Sequence, residues 1–511
     1  MNVRDTRNAI RQITSYRKRV LTRSFYMIVL AGFIGILTAT LPAMFGWEYF
    51  NELPALGRIS LGIVAFAAFL WISEAIPAYA VSMMVIGLNI FLLSYTGYGG
   101  TKGLNIFGMG DILTSDGLKP AAALNFSQYL LPWASNLMWL FIAGFMLAEA
   151  LTSTKLDLKF ARLILNAVGS KPINVLLGAM GVTFVLSMFM SNTATAAMMI
   201  ALMASFVRTL PKGEPFAKAL FLGIPVAANV GGMGTIIGTP PNGIAVEALS
   251  KEGIQIDFLT WMYIGLPVAL ALFVIGFAAV WIWYHPNIKV FEIEFEEEKP
   301  LPPDATEEEI AIVQQKNIER FITLVTFGLT VFLWITGKVH GLSTYVVSLI
   351  PIIVFGSTSI VDAKGFRKLP WDVLMLLAGG LSMGVAIEQT GLGLWMSGLV
   401  PEGVDPWMTF AFVIILAIVM SNLLSNTVTA SILIPISITM FPFEGLVSHI
   451  APIALVCSAA MFLPISTPPN AVAFASGKLQ TKDFMKIGGL MAIAGPVVAA
   501  IWGVIIMHFV L

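Results

Sequence analysis

The sequence predicts an all-α polytopic membrane protein, and three observations support this fold class. Hydrophobic residues make up 57% of the 511 residues and charged residues only 11%, whereas soluble domains carry roughly a quarter charged residues. The mean hydropathy is +0.86. Apolar stretches of about 20 residues, the length that crosses a bilayer as a helix, recur from end to end. Because these stretches are continuous rather than alternating, the pattern excludes an outer-membrane β-barrel.

Eleven transmembrane helices are predicted from the apolar stretches and their charged flanks. They cover approximately 25–45, 57–76, 79–95, 132–151, 219–249, 262–284, 320–337, 341–358, 372–390, 448–477 and 487–511. Two further apolar segments, about 173–204 and 407–437, are each interrupted near the middle by a Ser-Asn-Thr cluster. They are longer than the roughly 20 residues of a straight span, and polar tips are tolerated only inside protein or a wet cavity. We therefore predict two re-entrant helical hairpins, the first hairpin and the second hairpin.

The distribution of positive charge predicts the orientation in the cell membrane. With the N-terminus in the cytoplasm, 24 of the 29 Lys and Arg residues fall on the cytoplasmic side, as the positive-inside rule requires. Segment 1–24 is then a cytoplasmic anchor, although its Arg-rich composition also resembles a transit peptide. Lys and Arg together equal Asp and Glu in number, so the net charge gives no indication of a nucleic-acid partner.

The two halves of the chain resemble each other. "SMFMSNTATAAMMI" and "SNLLSNTVTASILI" have similar spacing, as do "IIGTPPNGIAV" and "PISTPPNAVAF", and their order is the same in both halves. Repeat 1 spans 57–284 and repeat 2 spans 320–511, separated by the acidic cytoplasmic linker 285–319, and span 25–45 has no counterpart. Each repeat holds five spans and one hairpin, so the second copy must be inverted. Inverted five-helix repeats are typical of secondary transporters.

The tips of the two hairpins, Ser191–Thr193 and Ser425–Thr427, are candidate binding elements. Ser, Asn and Thr cap helix N-termini, and the helix that follows each tip directs free N–H groups and its positive dipole end at the cavity. Hydroxyl and carboxamide oxygens also suit a hard cation. Each tip can therefore contact an anion on one side and a sodium ion on the other.

Two breaks complete the candidate site: the first break, "GTPPN" (238–242), and the second break, "STPPN" (466–470). Two successive prolines remove two N–H donors and force the preceding residue out of the helix. Free carbonyl groups are then available to a cation, and the hydroxyls of Thr239 and Thr467 to a substrate. No Arg or Lys lies in the tips or the breaks. A helix end stabilises an anion by at most about 2 kcal/mol, so a dicarboxylate needs bound cations beside it.

These duplicated motifs, together with "SEAIP" at 73–77, resemble the divalent anion/sodium symporter (DASS) family and its bacterial INDY-type dicarboxylate transporters. The resemblance implies a homodimer with a scaffold domain and a transport domain that moves by an elevator mechanism. It also implies that the following residues contact the substrate: Ser191, Asn192, Thr193, Thr239, Pro240, Ser425, Asn426, Thr427, Thr467 and Pro468. The implied ligands of one sodium ion are Ser187, Ser191, Asn192 and Gly238, and those of the other are Ser421, Ser425, Asn426 and Ser466.

The expected function is transport of a C4–C5 dicarboxylate of the succinate, malate, fumarate and 2-oxoglutarate class, coupled to Na⁺. An alternative within the same family is sodium-independent exchange of one dicarboxylate for another, or of citrate, a tricarboxylate, for succinate. An anion channel or a membrane enzyme is the alternative of another class. The four histidines form no HExxH motif and the single cysteine excludes a cysteine cluster, so no enzyme and no cofactor are predicted.

Overall fold

The structure is a computed structural model that describes residues 3–44, 50, 52–94, 111–114, 117–120, 125–291, 304–401 and 403–509. The surroundings of side chains are described for 21–41, 50, 52–94, 125–291, 304–401 and 403–505. Most of these residues are helical, and turns and loops connect the helices. The described residues also include a small antiparallel pair of strands, Asp111–Thr114 and Gly117–Pro120, with Asp111 opposite Pro120. The chain is therefore helical as predicted, apart from this hairpin within a predicted loop.

The helices divide between two compact units. The first unit comprises Met1–Trp133, Asp372–Val404 and Pro435–Met440, and the second comprises Ala134–Trp371, Asp405–Ile434 and Phe441–Leu511. In chain order the α-helices are Val3–Met44, Ala55–Ser73, Ala78–Leu88, Phe126–Leu130, Asn136–Ser153, Leu156–Ala167, Pro172–Ser187, Asn192–Val207, Pro215–Gly231, Pro240–Lys251, Phe258–Trp283, Glu307–Ile335, Gly337–His340, Thr344–Val347, Leu349–Ser357, Ala363–Lys368, Trp371–Gln389, Leu392–Gly398, Pro406–Leu423, Asn426–Met440, Leu446–Ala459, Pro468–Ala475 and Thr481–Phe509. Single turns of other helix types are Asn89–Leu93, Leu131–Ala134 and Gly232–Gly234.

Within the described residues, nine helices are long and apolar enough to cross a membrane, compared with eleven predicted spans. Three of the predicted spans, 79–95, 341–358 and 448–477, consist of shorter helices. One arm of the second hairpin, Pro406–Leu423, is itself among the nine. Length and composition therefore establish a multi-pass helical protein, and the shorter helices account for the difference in number.

Both predicted hairpins are interrupted at their Ser-Asn-Thr clusters. In the first hairpin the helix Pro172–Ser187 ends four residues before the cluster and Asn192–Val207 begins within it. In the second hairpin Pro406–Leu423 ends two residues before Ser425, and Asn426–Met440 follows. Ser191 and Ser425 both occupy the N-cap position, with non-helical backbone angles. The residue types of the clusters explain why the chain leaves the helix there.

The two breaks divide two predicted spans, as expected from their paired prolines. Span 219–249 forms Pro215–Gly231 and Pro240–Lys251, and span 448–477 forms Leu446–Ala459 and Pro468–Ala475. In each case the first proline is the first helical residue, where the missing N–H costs no hydrogen bond. Thr239 and Thr467 precede these prolines in extended conformation. Proline chemistry therefore determines where each helix restarts.

Two predicted boundaries differ from the structure. The helix Val3–Met44 is continuous, so residues 3–24 of the predicted anchor and 25–44 of the predicted span belong to one helix. Glu307–Ile335 likewise starts within the predicted linker 285–319, because Thr306 and Glu309 form a capping box there. Residues 292–303 of the linker lie outside the described residues. In both places the helix extends into polar sequence that hydropathy alone assigns to the solvent.

The helices that precede and follow the two breaks lie in the core of the second unit. The span Pro215–Gly234 is 89% buried, whereas Leu21–Leu41 of the first unit is 11% buried. Every residue of Leu446–Ala459 is buried. Pro468–Ala475 packs against Asn192–Val207, and Pro240–Lys251 packs against Leu446–Ala459. Helices from the two halves of the sequence therefore pack against each other around the breaks.

Candidate functional site

Four polar groups converge at the tip of the first hairpin. One end of the Asn192 carboxamide lies 2.6 Å from Ser187 Oγ, 3.2 Å from the carbonyl oxygen of Ala228 and 3.2 Å from that of Gly238. Ser187 Oγ in turn donates a hydrogen bond to the Ala228 carbonyl oxygen over 2.7 Å. The structure therefore brings together three of the four predicted ligands of the first sodium ion: Ser187, Asn192 and Gly238.

The carboxamide of Asn192 can present either of its ends to these oxygens. With the nitrogen at this position it donates to Ser187 Oγ and to both carbonyl groups, and every group is satisfied. With the oxygen at this position, four oxygens lie close together and the Ser187 hydroxyl supplies the one hydrogen among them. A cation bound at this position would offset the remaining repulsion between these oxygens, which are the ligands that hard cations take. The same groups can thus close the site by hydrogen bonds or open it to an ion.

The tip of the second hairpin has a matching arrangement. Ser421 Oγ lies 2.9 Å from Asn426 Oδ1 and 2.7 Å from the carbonyl oxygen of Cys457. Ser421 and Asn426 are five residues apart, as are Ser187 and Asn192. In both hairpins a buried serine on the entering helix therefore connects the asparagine of the tip with a carbonyl of a neighbouring helix. The two tips therefore present matching sets of hydroxyl, carboxamide and carbonyl oxygens.

Each hairpin tip is also attached to the break in the same half of the sequence. The hydroxyl of Thr235 donates to the carbonyl of Met188 and accepts from Gly238 N over 3.1 Å. In the second half, Ser466 Oγ donates to the carbonyl oxygen of Asn422 over 3.2 Å. Met188 and Asn422 each directly follow the buried serine of their hairpin. The predicted ligand Ser466 is thus held against the second tip.

The asparagine of each TPPN motif supports its break. Asn242 Nδ2 donates to the carbonyl oxygens of Gly232, Met233 and Thr235 over 3.0, 3.3 and 2.7 Å. Asn470 Nδ2 donates to the carbonyl oxygens of Met461 and Leu463, both over 3.0 Å. A helix break leaves such carbonyl groups without intrahelical partners. The asparagines compensate for this loss inside the protein.

Two glycines permit the close approach of backbones at the first break. A Cβ atom on Gly238 would lie 2.4 Å from the carbonyl oxygen of Gly232. A Cβ atom on Gly232 would lie 2.6 Å from the Asn192 carboxamide and 2.9 Å from the Gly238 carbonyl oxygen. Neither position has room for a side chain. The glycines are therefore required for the carbonyl of Gly238 to reach Asn192.

The remaining predicted substrate contacts have different surroundings in the two halves. Ser425 Oγ accepts from Val428 N over 3.2 Å as an N-cap, whereas Ser191 makes no side-chain cap hydrogen bond. Thr467 accepts from Asn470 N over 3.4 Å, whereas Thr239 makes no such bond. Half-buried or exposed positions, where a substrate can reach them, are occupied by Ser191, Asn192, Thr193, Pro240, Ser425, Asn426 and Pro468. Thr239, Thr427 and Thr467 are buried.

Several polar residues of the site were not singled out from the sequence. Asn229 Nδ2 donates to Thr467 Oγ1 over 3.0 Å and so joins the two halves. Asn422 Oδ1 accepts from Phe462 N over 2.8 Å. Thr195 and Thr429 lie four residues after Ser191 and Ser425, and both hydroxyls are buried without a hydrogen-bond partner in the described part of the chain. The motif SNTxT, which occurs at both tips, could have identified these two threonines from the sequence.

The electrostatics of the site come from dipoles. All the predicted contact residues are uncharged and none has a titratable side chain, so the site has no pKa of its own. Two helices, Asn192–Val207 and Asn426–Met440, begin at the tips, and each presents a positive dipole end there. The arrangement can therefore bind a hard cation through oxygens and an anion through helix N-termini.

Comparisons with known proteins agree with this arrangement. A family model described as "Citrate transporter" matches residues 69–460, more than half of the chain. The sodium-dependent dicarboxylate transporter SdcS of Staphylococcus saprophyticus is 29% identical over 466 residues, covering 84% of this chain and 82% of the relative. The protein of the same name from Staphylococcus aureus strain USA300 is 28% identical over 491 residues, covering 89% and 87%.

A solved structure shares the fold. The Alcanivorax borkumensis YdaH transporter is similar with a TM-score of 0.51 and 12% sequence identity, over 84% of this chain and 97% of that chain. At this identity the likeness concerns the fold alone. The family model and the relatives confirm the resemblance to divalent anion/sodium symporters that the duplicated motifs indicate. The chain belongs to the citrate transporter family and is a multi-pass membrane transport protein.

Proposed function

We propose that this protein carries a C4–C5 dicarboxylate, such as succinate, malate, fumarate or 2-oxoglutarate, across the cell membrane together with sodium ions. The observation that carries the proposal is the recurrence of one oxygen cluster at both hairpin tips. Ser187 with Asn192 and Ser421 with Asn426 have the same spacing and the same link to a backbone carbonyl. The relatives named sodium-dependent dicarboxylate transporters support the same substrate and coupling ion.

The sodium ions would occupy the two oxygen clusters. The proposed ligands are Ser187, Ser191, Asn192 and Gly238 in one cluster and Ser421, Ser425, Asn426 and Ser466 in the other. At the first cluster the Asn192 carboxamide faces the Gly238 carbonyl at 3.2 Å, so small movements would place both oxygens on a cation. At the second, Ser466 is already held against the tip through Asn422. The donors are hydroxyl, amide and carbonyl oxygens, which suits an alkali cation.

The dicarboxylate would lie between the two tips and the two breaks. Its proposed contacts are Ser191, Asn192, Thr193, Thr239, Pro240, Ser425, Asn426, Thr427, Thr467 and Pro468. Each helix N-terminus contributes at most about 2 kcal/mol to an anion, whereas removing a carboxylate from water costs several kcal/mol. Two sodium ions beside the substrate supply the missing attraction, because they are the largest local charges. This requirement makes binding of substrate and sodium mutually dependent.

Alternating access would follow from an elevator movement. All the proposed contacts lie in the second compact unit, which supports assigning its hairpins and breaks to a transport domain and the first unit to a scaffold. We assign inverted repeats to 57–284 and 320–511, a cytoplasmic N-terminus from the excess of Lys and Arg on that side, and a homodimer. In such folds the substrate site lies where the repeats meet, and here Asn229 and Thr467 connect the two halves.

The proposal is tested with purified protein in liposomes. Uptake of radiolabelled succinate is measured with an inward sodium gradient and empty liposomes, and separately with internal unlabelled succinate and no sodium. Uptake that requires the gradient and no internal substrate supports symport. Uptake that requires only internal substrate indicates exchange, and current without saturation indicates a channel. Absence of dicarboxylate-specific flux in both conditions contradicts the assignment.

A further inference from the structure

A cavity of about 770 Å³ lies within the first unit, and none of the proposed substrate contacts or sodium ligands lines it. Its walls come from the helices Val3–Met44, Ala55–Ser73 and Ala78–Leu88 and from the turn that follows. Its volume is that of a pocket for a sizeable small molecule. Ile36, one of its lining residues, is 64% exposed, so the cavity opens to the surface of the unit.

The walls of the cavity are apolar except at Arg58. The other lining residues are glycine, alanine, isoleucine, leucine and phenylalanine, together with Thr40, whose hydroxyl donates to the Ile36 carbonyl. Within the part of the chain whose side chains are described, no carboxylate forms an ion pair with Arg58. A guanidinium group has five donors that match a phosphate. The cavity, called the groove below, thus combines apolar walls with one positive charge that has no ion-pair partner among the described side chains.

The dimensions of the groove match one leaflet of a bilayer. It runs from Gly32 to Thr40 on the first helix and from Ala55 to Phe66 on the second. Eight and eleven residues of helix correspond to about 12 and about 16 Å, and half of the hydrocarbon core measures about 15 Å. Arg58 lies in the first turn of its helix, the level at which a span leaves the hydrocarbon. The charge therefore lies at the headgroup end of the groove.

We propose that this groove binds a phospholipid, with its phosphate on Arg58 and one acyl chain along the glycine-lined wall. A small carboxylate would satisfy the guanidinium but would leave the apolar walls uncovered. A phospholipid satisfies both features, and it is present wherever a membrane protein resides. An acyl chain gains little by leaving the surrounding lipid for the groove, because both are apolar. The contact between Arg58 and the phosphate must therefore decide occupancy.

The glycines of the groove offer a way to fill it without moving the helices. A Cβ atom on Gly35 would lie 2.8 Å from the Gly62 carbonyl oxygen, so a side chain there would separate the helices. A Cβ atom on Gly32 meets no atom within 4 Å. Gly32→Leu therefore occupies the groove while its wall stays intact. Gly87 has similar open space and does not line the cavity, so Gly87→Leu is the matched control.

The test is native mass spectrometry of delipidated protein titrated with phosphatidylglycerol, phosphatidylcholine or diacylglycerol. We expect one tightly bound copy of either phospholipid and none of diacylglycerol. Arg58→Gln should lower the affinity about tenfold, the effect of losing one charge-assisted contact, and Arg58→Lys should lower it less. Gly32→Leu should abolish this binding and Gly87→Leu should not. Thermal unfolding of each variant verifies that it is folded.

Three outcomes overturn the proposal. The first is that Arg58→Gln and Gly32→Leu bind phospholipid as tightly as the wild type. The second is that diacylglycerol binds as well as the phospholipids, since the phosphate would then be irrelevant. The third is that Gly32→Leu changes the number of chains in the complex, in which case a second copy of this chain covers the groove. Because none of these measurements uses transport, they are independent of the proposed function.

Discussion

Asn229 donates a hydrogen bond from its side-chain amide to Thr467 Oγ1 over 3.0 Å. Asn229 lies near the end of the helix that leads to the first break, and Thr467 precedes the prolines of the second break. Both residues are 2% exposed, so water does not replace this bond. The amide is also 3.5 Å from Asn470 Oδ1. The conformation of the second break therefore depends on a residue from the other half of the sequence.

Replacing Asn229 by leucine should weaken substrate binding. Leucine has a similar volume but no donor, so the buried Thr467 Oγ1 loses its shorter hydrogen bond and keeps only the 3.4 Å bond from Asn470 N. We expect the succinate concentration for half-maximal uptake to rise about tenfold, measured in liposomes with saturating sodium. Asn174→Leu is the control, because the exposed amide of Asn174 only contacts Val168 at a helix end. An unchanged half-saturating concentration for the Asn229 variant would contradict a role in the site.

The two buried serines should affect sodium more than substrate. Ser187→Ala and Ser421→Ala each remove an oxygen from one proposed sodium cluster and leave the substrate contacts in place. We expect the sodium concentration for half-maximal succinate uptake to rise about tenfold in each variant. Ser205→Ala is the control, because Ser205 is exposed on the helix after the first tip and donates only to Leu202. A lower maximal rate with unaltered sodium dependence would assign the serines a purely structural role.

The asparagine of the first TPPN motif should be required mainly for stability. Asn242→Leu removes three hydrogen bonds to buried carbonyl groups. The carbonyls of Met233 and Thr235 keep Trp261 Nε1 and Gly238 N as donors, whereas that of Gly232 loses its side-chain donor, and an unsatisfied buried group costs about 1–3 kcal/mol. We expect the detergent-solubilised variant to unfold several degrees below the wild type in a thermal scan. Asn470→Leu removes two such bonds and should have a smaller effect. Equal unfolding temperatures for Asn242→Leu and the wild type would show that the break does not depend on this amide.

The helices and their interruptions could be predicted because they follow from local chemistry. Paired prolines end a helix wherever they occur, and the structure interrupts the helices at "GTPPN" and "STPPN" as expected. Hydropathy could not identify where the helix containing residue 320 begins. Its start at Glu307 is determined by a capping box in polar sequence, not by burial. Hydropathy also did not identify the shorter helices within three of the predicted spans, because a sum over apolar residues does not detect a turn between helices.

Only those residues of the candidate site that belong to the repeated motifs could be predicted from the sequence. Ser187 and Asn192 are five residues apart in a recognisable cluster, and the structure brings them together. Asn229 carries no motif, and its partner Thr467 is 238 positions away. Nothing local relates an asparagine in an apolar helix to that distant threonine, because only the packing of the two halves makes them neighbours. Ala228 and Cys457 have equivalent contacts in the two halves, but each contributes its backbone carbonyl group. Their side chains therefore gave no sign of this role in the sequence.

Thr195 and Thr429 should contribute to sodium binding. Some buried threonines on the helices of this protein donate to the carbonyl four residues earlier, as Thr183 and Thr330 do over 2.6 and 2.7 Å. The hydroxyls of Thr195 and Thr429 make no such bond, although they lie one helical turn after Ser191 and Ser425, on the same face. Two buried hydroxyls without partners at equivalent positions are costly unless they bind something. We therefore expect each to face its sodium cluster when the ion is bound.

The variants Thr195→Val and Thr429→Val separate this role from a structural one. Valine keeps the shape and removes only an oxygen that has no hydrogen-bond partner among the described residues, so thermal stability without sodium should stay the same or increase. The sodium concentration for half-maximal uptake should rise several-fold, and the stabilisation of the protein by added sodium should decrease in parallel. Thr183→Val is the comparison, because it removes a hydroxyl that only contacts its own helix. If the two valine variants respond to sodium as the wild type does, the hydroxyls do not bind the ion.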